Sequence, residues 1–131
     1  MRRNAREKAF ALMFESIFNK SVEEELDNEL ILELKKEDEQ EFAKELITVF
    51  KENENSINET IKKYLINYDI ERLYKIDLAL LYLALTEIIY IKTPTQVVIN
   101  ETLEIAKLYS TDKSHKFING ILSSIIKGEN L

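Results

Sequence analysis

The chain has 131 residues and a mass of 15.4 kDa. That length suits one domain with a core of its own, needing neither metal nor disulfide. Two glycines and one proline are too few for the turns of a sandwich or barrel, so an all-helical chain with short connections is the natural reading. Zero cysteines exclude disulfides, thiolate metal sites and cysteine nucleophiles, and a single histidine, His115, excludes multi-histidine metal centres. The longest apolar run, residues 78–85, is far too short to span a bilayer. Glu15 interrupts the apolar stretch after the basic start too early for a signal peptide, so a cytoplasmic protein is expected.

The net charge of −6 is unevenly distributed. Residues 1–20 carry five basic against two acidic side chains, and residues 60–131 nine against eight. Residues 21–59 carry four against fourteen. Attraction to phosphate decays within a Debye length of about 8–10 Å, so a polar molecule of this kind can hold a polyanion on one face only.

In chain order, residues 3–19 predict a helix with Phe10, Met13, Phe14, Ile17 and Phe18 on one stripe. Residues 22–35 form a weaker amphipathic stretch through Val22, Leu26, Leu30 and Leu34, with 35–38 as the connection. Residues 38–54 repeat the helical pattern with Phe42, Leu46, Val49 and Phe50. The polar run 53–58 has two readings: Ser56 and Glu59 form a capping box for a new helix, or the run is a surface interruption in one long helix. Asn67, Tyr68 and Asp69 predict a break, with Asp69 capping a short turn through Leu73. Residues 76–91, charged only at Asp77 and Glu87, predict the buried central helix of a bundle. Thr93, Pro94 and Gln96 predict a capped start for a helix to about Tyr109, and a last helix begins near Asp112.

Several stretches together resemble the NusB transcription antitermination family. They are Asp77 to Glu87, Pro94 followed by Val97-Val98-Ile99-Asn100-Glu101, Ala106-Lys107, and Ser114-His115-Lys116-Phe117-Ile118-Asn119-Gly120-Ile121-Leu122. The basic start, Arg2-Arg3-Asn4-Ala5-Arg6-Glu7-Lys8-Ala9, resembles the same family. The likeness covers roughly residues 2–18 and 64–127; the acidic middle matches in length and helical character. It implies an all-α fold of about seven helices in two packed subdomains, approximately 1–66 and 67–131, making one RNA-binding domain. It also implies a non-enzymatic transcription factor, without cofactor or metal. Such a factor pairs with NusE, a small-subunit ribosomal protein, on single-stranded box A RNA of ribosomal RNA operons. The pair joins an RNA polymerase elongation complex with other Nus factors, and a homodimer of the free protein has family precedent. The family's usual arginine is Tyr82 here, its frequent tyrosine is Thr86, and its third N-terminal arginine is Asn4.

Arg2, Arg3, Arg6 and Lys8 are the first candidates for RNA contact. Cations at a helix start oppose its dipole, while guanidinium groups bind phosphate bidentately and stack on bases. Tyr64, Tyr109 and Phe117 are candidates for base stacking, although helical spacing equally suits Phe117 and Tyr109 to the core. Lys113, Ser114 and Lys116 open the last helix, where backbone amides, a hydroxyl and two amines suit a phosphate. The competing reading there is ordinary capping by Thr111 or Asp112. The resemblance makes Glu71 and Asp77 candidates for contact with NusE, as exposed charges around a helix break. Asn100 and Glu101 read as structural, and His115 as a surface residue. Gly120, inside a strong helical period, implies a close approach by a neighbouring helix or by RNA. Two other functions stay open: a relative of the RNA-binding part of ribosomal RNA cytosine methyltransferases, and a protein adaptor that binds no RNA.

Overall fold

The computed structural model describes residues 2–19, 29–66 and 69–131. Five long helices order the chain: α1 (Arg3–Phe18), α2 (Glu37–Tyr64), α3 (Lys75–Leu85), α4 (Thr95–Tyr109) and α5 (Asp112–Gly128). Residues 29–32 add a helical turn before α2. The described residues thus hold six α-helical segments and no strand, where about seven helices were expected. The first half of the expected stretch 22–35, including Val22 and Leu26, lies outside the described residues, as do Asn67 and Tyr68.

α3 is the axis of the molecule. Its residues from Asp77 to Leu85 are all buried, and α1, α2, α4 and α5 each pack on it. A helix without a polar face can only be enclosed in this way. One hydrophobic cluster draws on all five long helices, and on Ile31 and Leu34 before α2.

α1 buries a stripe shifted from the one its large residues predict: Phe10 and Met13 of that stripe are in the core, joined by Ala5, Ala9 and Leu12. Its inward side is Ala5, Ala9, Phe10, Leu12 and Met13, while Phe14 and Ile17 are half-buried and Phe18 is exposed. The two alanines, both fully buried, let the helix backbones approach closely, and that closeness leaves Phe14 and Phe18 toward the flank.

α2 is one helix of 28 residues, about 42 Å long. The polar run 53–58 does not break it, because its side chains bond back to the helix's own carbonyls. Asn53 donates to the Val49 carbonyl at 2.8 Å and Thr60 to that of Ser56 at 3.1 Å. Glu59 pairs with Lys62 at 3.4 Å rather than capping. Three acids in its first turn and two lysines in its last complement the helix dipole.

After Leu85 the backbone widens into a π-turn, Thr86–Ile91, which ends at Lys92 in the left-handed region (φ 69°). The expected capping box at Thr93 does not form. Thr93 instead donates through its hydroxyl to Glu87 Oε1 at 3.1 Å, and Gln96 bonds Asn100 at 3.0 Å. Pro94 stands one residue before the helix it was expected to open. Asp69 precedes a 3-10 turn, Ile70–Arg72, without a side-chain cap.

Candidate nucleic-acid interface

The first turn of α1 sends its cations to three different places. Arg2 lies over the Phe42 ring, 4.3 Å from its centroid, and remains exposed. Arg6 is buried: its Nε donates to both Glu87 oxygens at 3.1 and 2.9 Å, and Nη2 donates to Oε1 at 2.5 Å. Glu87 sits in the π-turn and also receives the Thr93 hydroxyl, so this carboxylate is fully engaged inside the protein. Arg6 is therefore a structural residue here rather than a surface cation open to phosphate.

Arg3 faces α4. Its Nε donates to Glu101 Oε2 at 3.1 Å, and its side chain keeps 43% exposure. The hydrogen bond and charge of Glu101, then the nearby charges of Glu104 and Glu7, raise its guanidinium above the ordinary value. Arg3 shares a groove of about 420 Å3 with Asn100, Glu101, Glu104, Lys107 and His115. Lys107 pairs with Glu104 at 3.1 Å and holds that carboxylate below its usual range. Glu101, Glu104 and Lys107 recur every three residues, which stacks them along one face of α4.

A second groove, about 730 Å3, lies on the other flank of α1. Asn4, Lys8, Lys35, Lys36 and Tyr109 line it, together with Glu7, Glu33 and Glu39. Lys8 pairs with Glu33 at 3.6 Å. Tyr109 is half-exposed, with its ring 5.3 Å from that of Phe10, so one side is anchored while the rest faces solvent. Both grooves draw on the first turns of α1 and the last turn of α4.

The start of α5 contributes in part. Lys113 and Lys116 are exposed and Phe117 is half-buried. Ser114 is buried, and its backbone N–H donates to the Thr111 hydroxyl at 3.2 Å. Ordinary capping by Thr111 thus accounts for Ser114, whereas the two lysines and His115 face outward or into the Arg3 groove.

Tyr64 stands apart. Its hydroxyl donates to Glu129 Oε2 at 2.7 Å, and its ring packs against Gly128 at the far end of α5. The fifteen residues between Lys113 and Gly128 span about 22 Å of helix. The bond to Glu129 raises the phenol above its ordinary value.

The two acidic candidates also separate. Glu71 is exposed, beside Lys75, in a shallow cleft with Glu54, Lys62 and Tyr82. Asp77 is buried, correcting its expected exposure: it accepts from Ser110 at 3.4 Å, and burial pushes its carboxyl above the usual range.

Tyr82 and Thr86, where the chain departs from the family's usual residues, are both interior. Tyr82 donates to Asn58 at 2.7 Å and stacks near Phe50, and burial pushes its phenol up to about 12. Thr86 donates to the Tyr82 carbonyl at 2.6 Å. Asn4, by contrast, lines the larger groove. Gly120 meets nothing within 4 Å, so no neighbouring helix requires it.

Sequence reasoning missed Lys35, Lys36, Lys107 and the groove role of Glu101 and His115. The three-residue spacing of Glu101, Glu104 and Lys107 was the available signal. Among the described residues, no cluster of three or more His, Asp or Glu side chains is placed to hold a metal, and no helix is long and apolar enough to cross a membrane.

The NusB family model matches residues 3–127. The transcription antitermination protein NusB of Natranaerobius thermophilus is 39% identical over 129 residues, covering 95% of this chain and 93% of that protein. Its namesake in Listeria innocua is 40% identical over 125 residues, covering 95% and 94%. Among solved structures, T. maritima NusB superposes with a TM-score of 0.90 at 36% identity, covering 97% of this chain and 91% of that one. A structure of antitermination factors NusB and NusE in complex with double-stranded RNA gives 0.89 at 30% identity, covering 97% and 96%. With a family model matching nearly end to end, relatives near 40% identity and the same helical architecture, the chain belongs to the NusB family.

Proposed function

We propose that this protein is a transcription antitermination factor that binds box A RNA of ribosomal RNA operon transcripts together with NusE. The pair acts in the cytoplasm, within an RNA polymerase elongation complex that includes other Nus factors. Its role is to hold RNA and a partner, not to catalyse a reaction. The observation that carries the reading is the gathering of exposed Arg2, half-exposed Arg3 and Lys8, and exposed Tyr109, Lys113 and Lys116 around the start of α1 and the α4–α5 turn. Cations there neutralise phosphates, and the open tyrosine face offers stacking worth about 1–3 kcal/mol per base. Phe117 serves as a secondary stacking surface, and Glu71 as an acidic contact to NusE. Arg6, Ser114 and Asp77 are engaged inside the protein and Tyr64 lies at the far end of α5, so none of the four makes these contacts. The antitermination names of the relatives favour this reading over a methyltransferase part or a protein adaptor.

The test is fluorescence anisotropy of a labelled box A RNA, with and without NusE, beside a scrambled RNA of equal length. Selective binding that tightens with NusE is expected. Arg2→Ala/Arg3→Ala is expected to weaken it and to flatten the salt dependence by about 0.7 in slope for each phosphate no longer neutralised. Equal binding of both RNAs under every condition would sink the reading and leave the adaptor.

A further inference from the structure

Arg3 and Arg6 differ in which guanidinium atoms are spent. Arg6 uses Nε and Nη2 on Glu87, with its side chain only 7% exposed, which leaves no accessible edge for a ligand. Arg3 makes one hydrogen bond among the described residues, from Nε to Glu101. A guanidinium carries five N–H donors, so four remain on its two Nη atoms. Those are the donors that fork a phosphate end-on. The side chain is also half-exposed in a groove that contains Lys107 and His115.

We propose that Glu101 is the positioning residue for Arg3: by accepting the Nε–H it fixes the guanidinium and leaves the Nη end for a phosphodiester oxygen of RNA entering that groove. The inference rests on the RNA-binding reading above. An arginine free in solvent loses rotamer freedom on binding, and one tethered beforehand has already lost it. A carboxylate at this place has an opposing effect, because it repels the incoming phosphate. Glutamine separates the two. It keeps an oxygen to accept the Nε–H and carries no charge, whereas alanine removes both the acceptor and the charge.

The experiment measures box A binding by the full chain with NusE for wild type, Arg3→Ala, Glu101→Ala, Glu101→Gln and Arg3→Ala/Glu101→Ala. Arg3→Ala and Glu101→Ala are each expected to weaken binding about three- to ten-fold. Glu101→Gln is expected to bind at least as tightly as wild type. The double variant is expected to be no weaker than Arg3→Ala alone. A second readout needs no RNA: the Arg3 Nε–H proton resonance is expected to be protected from exchange in wild type and Glu101→Gln, and unprotected in Glu101→Ala. Tighter binding by both Glu101 variants would make the carboxylate a competitor of phosphate and overturn the proposal. Weaker binding by both would make Glu101 a direct RNA contact and overturn it too. An unchanged Glu101→Ala, in affinity or in the Arg3 resonance, also defeats it. If wild type fails to prefer box A over scrambled RNA, the functional reading has failed and the inference falls with it; if wild type and Arg3→Ala behave as expected, only the role of Glu101 is at stake.

Discussion

The inner and outer sides of the first turns of α1 carry the same residue type to opposite ends. Arg6 and Glu87 are 7% and 1% exposed and meet through a multiply bonded fork; Arg3 and Glu101 are 43% and 22% exposed and meet through one hydrogen bond. Three residues of helix separate the arginines, so local sequence does not decide between them. The partner's place decides. Glu87 sits in a π-turn enclosed by the core, and Glu101 lines a groove open to solvent. A buried pair locks α1 to the central helix, while an open pair leaves donors available. An arginine-rich start is thus part anchor and part contact surface.

The sharpest way to break this comparison is to remove each arginine in turn. Arg6→Ala leaves the Glu87 charge buried without its guanidinium, and is expected to cost about 3–5 kcal/mol of stability. Arg3→Ala breaks a half-exposed pair, with an expected cost under about 1 kcal/mol. Urea unfolding followed by circular dichroism reads both. RNA affinity is expected to rank the reverse way for protein that remains folded, with Arg3→Ala the more damaging. Similar unfolding midpoints for the two variants would contradict the anchor role of Arg6.

The two glycines of α5 sharpen the same contrast between a filled and an open site. A Cβ on Gly128 would overlap the Tyr64 ring and hydroxyl, whereas one on Gly120 would meet open space. Gly120→Ala is therefore expected to stabilise the protein by up to about 1 kcal/mol through helix propensity alone. Gly128→Ala is expected to displace Tyr64 and break its bond to Glu129, offsetting that gain, so its midpoint stays at or below wild type. Thermal unfolding of both variants checks this. An unstable Gly120→Ala would mean that the helix needs glycine for a reason its surroundings do not contain. If instead Gly120→Ala is stable but weakens RNA binding, the glycine is kept for the ligand's approach.

Much of the fold was legible because helical periodicity is a local signal. The start of α1, the apolar stretch of α3 and the start of α5 beside Asp112 all follow from it. What escaped was non-local. The continuity of α2 through 53–58 depends on Asn53 and Thr60 bonding back to carbonyls, which a turn-like composition conceals. The buried face of α1 is shifted by close packing at Ala5 and Ala9, so the predicted stripe is buried at Phe10 and Met13, half-buried at Phe14 and Ile17, and open at Phe18. Arg6 and Glu87 lie 81 residues apart, beyond any local pattern. The surface of the candidate site was legible as charge, through Arg2, Arg3 and Lys8. Its architecture was not, because Lys107 and His115 reach it only through the placement of α4 beside α1 and the packing of α5 on α4.

Asp77 lies between the two arginine pairs in kind, and gives the smallest expected effect. It is buried like Glu87, but only hydroxyls face it, from Ser110 and Ser114. Burial raises its carboxyl above the ordinary value, and the two hydroxyls pull it partly back. A folded-state value above the unfolded one means that the native protein takes up this proton more readily. Its ionised form therefore disfavours folding at neutral pH, and that penalty fades as pH falls through the folded value. Asp77→Asn keeps an acceptor for the hydroxyls and removes the charge. It is expected to raise the urea midpoint slightly near pH 7, by less than either glycine change. The gap is expected to narrow as pH falls through the raised folded-state value of Asp77. A variant less stable than wild type at pH 7 would show that the hydroxyl bonds to the carboxylate outweigh its burial, and Asp77 would then belong with Glu87 as an anchoring acid.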